Sequence, residues 1–303
     1  MSHSAPETVR VLVPATTANL GPGFDCLGMA LSVHNSIEMS SAAETTVEVR
    51  GFGADTLARG EEHLVIRSAR LLASRTGMHT PGWRLAQRND IPLARGMGSS
   101  SAAIVGGLVA ANALLRTGLG ERELLDLAVE IEGHPDNVAP ALLGGLVVCC
   151  TDEEGLGVAR FPAPAGLKAC LAIPDYEVST EAARKVMPRQ IPHADGVFNT
   201  CHSTAVLAAL LSGDVKLLGQ AMKDRLHEPY RAPLMRGMGD CVAAARSAGA
   251  HAAALSGSGP TIVAFATGNA EQVLEAMLES LRGVGVSCRG LVADMSAQGA
   301  RIV

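Results

Sequence analysis

Residues 96–101 read Gly96-Met97-Gly98-Ser99-Ser100-Ser101 and join a short apolar run to a long helical one. Two glycines let the backbone approach a ligand closely and take angles that side chains forbid. The three hydroxyls then fall on a first helical turn, whose N–H groups have no partner inside the helix. Free N–H groups and the positive end of the helix dipole make such a turn a phosphate site, and a serine there can also coordinate Mg²⁺. Taken alone, the pattern also fits an ordinary tight turn and cap. It lacks the lysine of a G-x-x-x-x-G-K-[ST] loop and the third glycine and early position of a dinucleotide fingerprint. Two further small-residue loops strengthen it: Pro14-Ala15-Thr16-Thr17-Ala18-Asn19-Leu20-Gly21-Pro22-Gly23-Phe24-Asp25-Cys26-Leu27-Gly28 and Leu255-Ser256-Gly257-Ser258-Gly259-Pro260-Thr261. Each stands beside an apolar run, and three such loops in one chain are harder to assign to turns alone.

The elements that must position these loops alternate between strand and helix patterns. Residues 9–13 are a β-branched run that Pro14 is expected to end, and residues 31–39, 45–49 and 83–86 read as further strands. Helical spacing appears over residues 63–75, from about Ser100 to Leu115, and over residues 121–131. A turn-rich patch at residues 151–157 and Phe161-Pro162-Ala163-Pro164-Ala165-Gly166 suggest a boundary, giving domains at 1–160 and 161–303. The second half repeats the mixture: a strand at 167–173, three helical patterns between 179 and 248, a strand at 261–266, a helix at 270–281 and a strand at 284–292. The fold class is α+β in both halves.

Bulk properties narrow the function. The 303 residues suggest about two domains. Hydrophobic residues are 48% but aromatics only 3%, so small aliphatic side chains must fill the interior. A net charge of -5 without any Lys or Arg run argues against a nucleic-acid or membrane-surface role. An anionic ligand would need a local site. The cysteines Cys26, Cys149, Cys150, Cys170, Cys201, Cys241 and Cys288 are scattered, without metal-site spacing, and read as reduced thiols. No apolar stretch approaches the roughly 20 residues of a membrane span. The opening MSHSAPETVR lacks the apolar region of a signal peptide, so a cytoplasmic location is expected.

Together the three loops resemble the three motifs of the GHMP kinases, the superfamily of galactokinase, homoserine kinase and mevalonate kinase. Glu132-Gly133-His134-Pro135-Asp136-Asn137-Val138-Ala139-Pro140, Thr180-Glu181-Ala182-Ala183-Arg184 and Glu228-Pro229-Tyr230-Arg231 resemble the homoserine kinase branch. The matches run in order from residue 9 to about residue 265. The resemblance implies a two-domain GHMP kinase fold, with a ribosomal-protein-S5-like N-terminal domain and a ferredoxin-like C-terminal domain. It also implies ATP, Mg²⁺ and phosphorylation of the side-chain hydroxyl of L-homoserine in threonine biosynthesis. Members are often dimers, which makes a homodimer one candidate assembly, but the sequence itself does not give the oligomeric state. By carry-over, Asn19, Asp25, His134, Asn137, Arg184 and Arg231 hold the amino acid. Pro92, Leu93, Ala94, Arg95, Gly96, Met97, Gly98, Ser99, Ser100, Ser101 and Ala102 form the ATP loop, with His63 at the adenine. Ser100 (or Ser99) and Glu132 hold Mg²⁺.

Homoserine is a zwitterion with a hydroxyl. Asp25 can pair with its ammonium, and Arg184 and Arg231 can grip its carboxylate through planar double donors; ordinary surface ion pairs are the alternative. His134 is either a satisfied loop histidine or a substrate contact. Asp136 can cap the helix carrying Asn137 or act as a base. The chain's first lysine is Lys168, so the Asp–Lys pair usual in mevalonate kinase-like members has no counterpart in the first motif. Positioning and charge stabilisation can suffice for phosphoryl transfer. The expected catalytic group is therefore Asn137, orienting the hydroxyl, with Glu132 and Asp136 beside it. Three rivals remain: a GHMP kinase for mevalonate or a sugar, a non-catalytic ligand-binding relative, and a nicotinamide-dependent oxidoreductase.

Overall fold

The computed structural model describes residues 8–303; the expectation about the opening segment rests largely on residues 1–7, outside that range. In chain order the elements are β1 Val9–Ala18, β2 Leu27–Ala42, β3 Thr46–Gly51, α1 Leu64–Arg75, β4 Gly82–Asn89, α2 Ser99–Leu115, α3 Glu121–Glu132, α4 Pro135–Leu143, β5 Leu146–Asp152 and β6 Gly155–Phe161. There follow β7 Lys168–Pro174, α5 Thr180–Lys185, α6 His193–Ser212, α7 Val215–Ala221, α8 Glu228–Arg231, α9 Met238–Ser247, β8 Ala252–Leu255, β9 Ile262–Ala266, α10 Ala270–Gly283, β10 Cys288–Asp294 and β11 Arg301–Ile302.

One sheet runs β11-β1-β2-β4-β3, with β5 also pairing β2 and β6 beyond it. Its pairs are antiparallel except β3–β4, which are parallel and joined through α1. The second sheet runs β10-β7-β9-β8, the order of a ferredoxin-like fold. The chain passes from one sheet to the other after Phe161, and β11 returns to β1. The strand β7 is buried on both faces. Its alternating side chains send Ala169, Leu171 and Ile173 into the core shared with the first half, and Cys170 and Ala172 into a second core under α9 and α10. The helix α2 is apolar and small-residued nearly all round, with Ala102, Ala103, Ala110 and Ala111 buried.

Pro14 does not end the first strand. β1 continues to Ala18, and its register against β2 jumps from Pro14↔His34 to Ala15↔Leu31. A bulge tolerates the missing proline N–H, and it bends β1 onward to carry Thr16 and Thr17 into the site. The turn-rich patch at 151–157 is the tip of the β5–β6 hairpin, where only Glu153 and Glu154 separate the strands. Five α-helices, not three, lie between residues 179 and 248; α5, α7 and α8 have 6, 7 and 4 residues, too short for a periodic signal. The last long strand starts at Cys288 rather than Val284, because Val284 caps α10 and Gly285 turns the chain at φ 73°. No helix among the described residues is long and apolar enough to cross a membrane.

Candidate active site

The three loops singled out in the sequence are knitted together. Ser256 Oγ donates to Gly96 O (2.6 Å) and lies 3.0 Å from Thr17 Oγ1. Asn19 Nδ2 donates to Gly257 O (2.9 Å), and Gly257 N–H donates to Ala18 O. Thr16 N–H donates to Met97 O at 3.1 Å. The glycines of residues 96–98 are needed for this contact as much as for a ligand. A Cβ on Gly98 would stand 2.0 Å from Thr16 Oγ1, and one on Gly96 would stand 2.1 Å from Ser256 O. Four of the five non-glycine residues at positive φ among the described residues lie in these loops: Asn19, Leu20, Asp25 and Ala94. Such strain gathers where surrounding contacts over-determine the backbone, as at functional sites.

Gly98 caps α2 without a side-chain bond, and the first helical hydrogen bond is Ala102 N–H to Gly98 O. The N–H groups of Ser99, Ser100 and Ser101 are thus left for a ligand. An anion there gains about 0.3–2 kcal/mol from the helix dipole. Ser100 Oγ and Ser101 Oγ both donate to Glu132 Oε1, at 2.7 and 2.9 Å. Glu132 ends α3, the unfavourable end for a carboxylate. A carboxylate and a hydroxyl converging beside a phosphate site are hard oxygen donors, which suit Mg²⁺.

A cavity of about 290 Å³ opens over this turn. It is lined by Ala94, Arg95, Gly96, Gly98, Ser99 and Ser100 of the loop, and by Glu132, His134, Asp136, Asn137, Asn19, Asp25, Arg184 and Arg231. Asp25 and Arg184 form a closed double hydrogen bond, 2.8 and 3.0 Å. His134 Nδ1 meets Asp136 Oδ1 at 2.7 Å. Burial works against the charged imidazole, but that bond and the charges of Asp136 and Glu132 outweigh it and raise its pKa above the ordinary value. Asp25, His134 and Asp136 bring one donor atom each within 4.8 Å of one another. Asn137 Oδ1 accepts from Thr16 Oγ1 at 2.7 Å. Arg231 is buried, its Nε donating to Ala183 O and its Nη1 to Gly257 O.

Several expected roles change. His134 caps α4 and Pro135 follows it, so Asp136 lies inside the first turn and is not the cap. The Asn19 amide staples two loops, donating from Nδ2 to Gly257 O and accepting at Oδ1 from the Asp25 N–H, while Asn19 still lines the cavity. The Arg95 guanidinium is held by Pro174 O (2.9 Å), Asp175 O and Glu177 rather than left free for a ligand. A second cavity of about 270 Å³ contains His63, Leu93, Ala94, Ser99 and Ser100 in its wall, so it adjoins the first. Pro92, Met97, Ser101 and Ala102 line neither cavity. Val178 and Ser179 line the first, and Leu57, Gln87 and Asn89 the second, from outside every segment singled out in the sequence, while Thr180, Gly257 and Ser258 line the first from within such segments. Thr16, Thr180 and Ser258 stood inside the recognised segments, but a hydroxyl's type does not say which way it points.

Sequence models of the GHMP kinases N terminal domain and the GHMP kinases C terminal match residues 63–145 and 206–283. A homoserine kinase of Moorella thermoacetica is 46% identical over 92% of this chain and 94% of its own length. The chain belongs to the homoserine kinase family of the GHMP kinases. A homoserine kinase of Desulfitobacterium hafniense is 42% identical over 97% of this chain and its own full length (100%). Among solved structures, a homoserine kinase from Cytophaga hutchinsonii superimposes with a TM-score of 0.90 at 31% identity, covering 100% of this chain and 99% of that one. A mevalonate kinase from L. major in complex with R-mevalonate gives 0.73 at 17% identity, covering 97% and 99%, a likeness of fold alone.

Proposed function

We propose that this kinase transfers the γ-phosphoryl group of ATP to the side-chain hydroxyl of L-homoserine, giving O-phospho-L-homoserine for threonine biosynthesis in the cytoplasm. The observation that carries it is one cavity joining a bare helix N-terminus to carboxylates and guanidiniums suited to a zwitterion. The phosphates rest on the N–H groups of Ser99, Ser100 and Ser101, with the purine in the adjoining cavity beside His63. Asp25 and Asp136 attract the ammonium, while Arg184 and Arg231 attract the carboxylate. Before substrate binds, Asp25 and Arg184 satisfy each other; the zwitterion offers the complementary pair of charges. Ser100 and Glu132 would hold Mg²⁺, which supplies charge neutralisation on the phosphate oxygens when bound.

Asn137 presents Nδ2 to the substrate, because Oδ1 is taken by Thr16. It donates to the hydroxyl oxygen and so cannot take its proton. The hydroxyl oxygen bonds to the γ-phosphorus, the bond to the bridging oxygen breaks, ADP leaves, and the proton passes to the transferred phosphoryl group. Positioning and charge supply the rate. Mevalonate lacks an ammonium and galactose lacks a carboxylate. A coupled ADP-release assay with L-homoserine, mevalonate and galactose, with and without Mg²⁺, is expected to show turnover with homoserine and Mg²⁺ alone. Comparable kcat/KM with either other acceptor sinks the assignment.

A further inference from the structure

We propose that His227 is a positioning residue for Arg231, acting with Phe24 to aim the guanidinium groups that meet the substrate's carboxylate; this rests on the amino-acid reading of the site. His227 is fully buried and is absent from the cavity wall, so it acts only through its neighbours. Its Nε2 lies 2.7 Å from the carbonyl oxygen of Gly21, an atom that can only accept. Nε2 therefore carries the proton, and in the neutral ring Nδ1 presents a lone pair. That lone pair faces Arg231 Nη1 at 3.3 Å. Burial first, and then the Arg231 charge, hold the His227 pKa below its ordinary value, against the opposing pull of Asp224 and Asp25. The neutral tautomer and the hydrogen-bond pattern agree.

Arg231 thus has acceptors from three parts of the chain: Ala183 O on α5, Gly257 O in the third loop, and His227 Nδ1 at the head of α8. Its Nη2 makes no hydrogen bond among the described residues, and Arg231 lines the cavity. Phe24 completes the arrangement. Its ring stacks on His227 at 5.1 Å and 27°, and the Cζ atoms of Arg231 and Arg184 lie 5.0 and 5.6 Å from its centroid. The Phe24 ring thus lies within cation–π distance of two neighbouring cations and eases their repulsion. A long side chain fixed in advance spares the substrate the cost of ordering it.

The test separates the two imidazole nitrogens. His227→Gln can keep the donor to Gly21 and removes the acceptor for Arg231; His227→Asn can place an oxygen where Nδ1 stood. The expected result is a rise of about tenfold in the KM for homoserine with His227→Gln, less than about threefold with His227→Asn, and KM for ATP within about twofold in both. Phe24→Leu, which keeps apolar bulk, is expected to raise the homoserine KM as well. The inhibition constant of 3-aminopropan-1-ol, homoserine without its carboxylate, should not move with His227→Gln. An unchanged homoserine KM in His227→Gln overturns the proposal, as does an equal loss for the amino alcohol or for ATP. Arg231→Leu supplies the reference. If it leaves the homoserine KM unchanged, the reading of the site fails; if it raises that KM while His227→Gln does not, only the role of His227 fails.

Discussion

Thr16 Oγ1 donates to Asn137 Oδ1 across 2.7 Å, and this bond selects which end of the carboxamide the cavity meets. Thr16 is fully buried on the segment of β1 that continues past the proline bulge, while Asn137 lies in the first turn of α4. In the proposed mechanism the pair leaves Nδ2 for the substrate and denies the site a base at that position. Thr16 also lies against Gly98, so one side chain fixes both the Asn137 carboxamide and the glycine turn.

Thr16→Val keeps the shape and removes the donor. We expect kcat to fall roughly tenfold, about 1.4 kcal/mol, with Thr16→Ser restoring most of it. Combined with Asn137→Ala, Thr16→Val should cost little more, because the two act as one unit. Additive losses in steady-state kinetics refute the coupling.

Gly98→Ala is expected to destabilise the protein by more than about 2 kcal/mol and to abolish measurable turnover, because it adds backbone strain to a clash with Thr16. Gly77 has a similar φ, 67°, but open space around it. Gly77→Ala should cost only about 1–2 kcal/mol and leave kcat intact. Thermal melts of the two variants decide; equal shifts would remove the steric argument.

Asp25 and Arg184 are about one-third exposed, at 34% and 39%. Such a pair contributes under about 1 kcal/mol to stability. Asp25→Asn should therefore leave the melting temperature nearly unchanged while raising the homoserine KM more than about tenfold. A large drop in melting temperature without a KM change would make the pair structural.

Glu132→Gln and Ser100→Ala are expected to raise the Mg²⁺ concentration needed for half-maximal activity by about tenfold or more, and chelation with EDTA should abolish turnover in the parent. An unaltered Mg²⁺ titration in Glu132→Gln places the ion elsewhere.

His63 caps α1 through Nδ1, which accepts from Val65 N–H, leaving a buried Nε2–H without a partner among the described residues, beside the second cavity. Burial, and then Arg59, hold its pKa below the ordinary value. The unfolded chain takes up the proton first, near pH 6.5, so the stabilisation is full above that pH and declines as pH falls through the folded value. His63→Asn keeps a cap without titrating. Between about pH 7.5 and pH 5 the parent should lose more stability than this variant, measured by urea unfolding. The same change should raise the KM for ATP severalfold; equal acid sensitivity in the two proteins would contradict the sign.

The sequence alone determined the chemistry on offer: an N-terminal turn for phosphate in residues 96–101, two companion loops, and strand–helix alternation on both sides of Phe161. These are local properties, because turn residues and hydrophobic periods report on a few neighbours along the chain. It missed the strand beyond Pro14 and the short helices α5, α7 and α8, whose boundaries depend on bulges and caps rather than on a period. Only the tertiary structure joined Thr16 to Asn137, Asp25 to Arg184 and Gly21 to His227, across 121, 159 and 206 residues of chain. It also tied the Arg95 guanidinium to Pro174 and Asp175 and the Asn19 amide to Gly257. A side chain's partners over such distances follow from how two sheets and their helices pack, since packing fixes which polar groups are buried together and must satisfy one another.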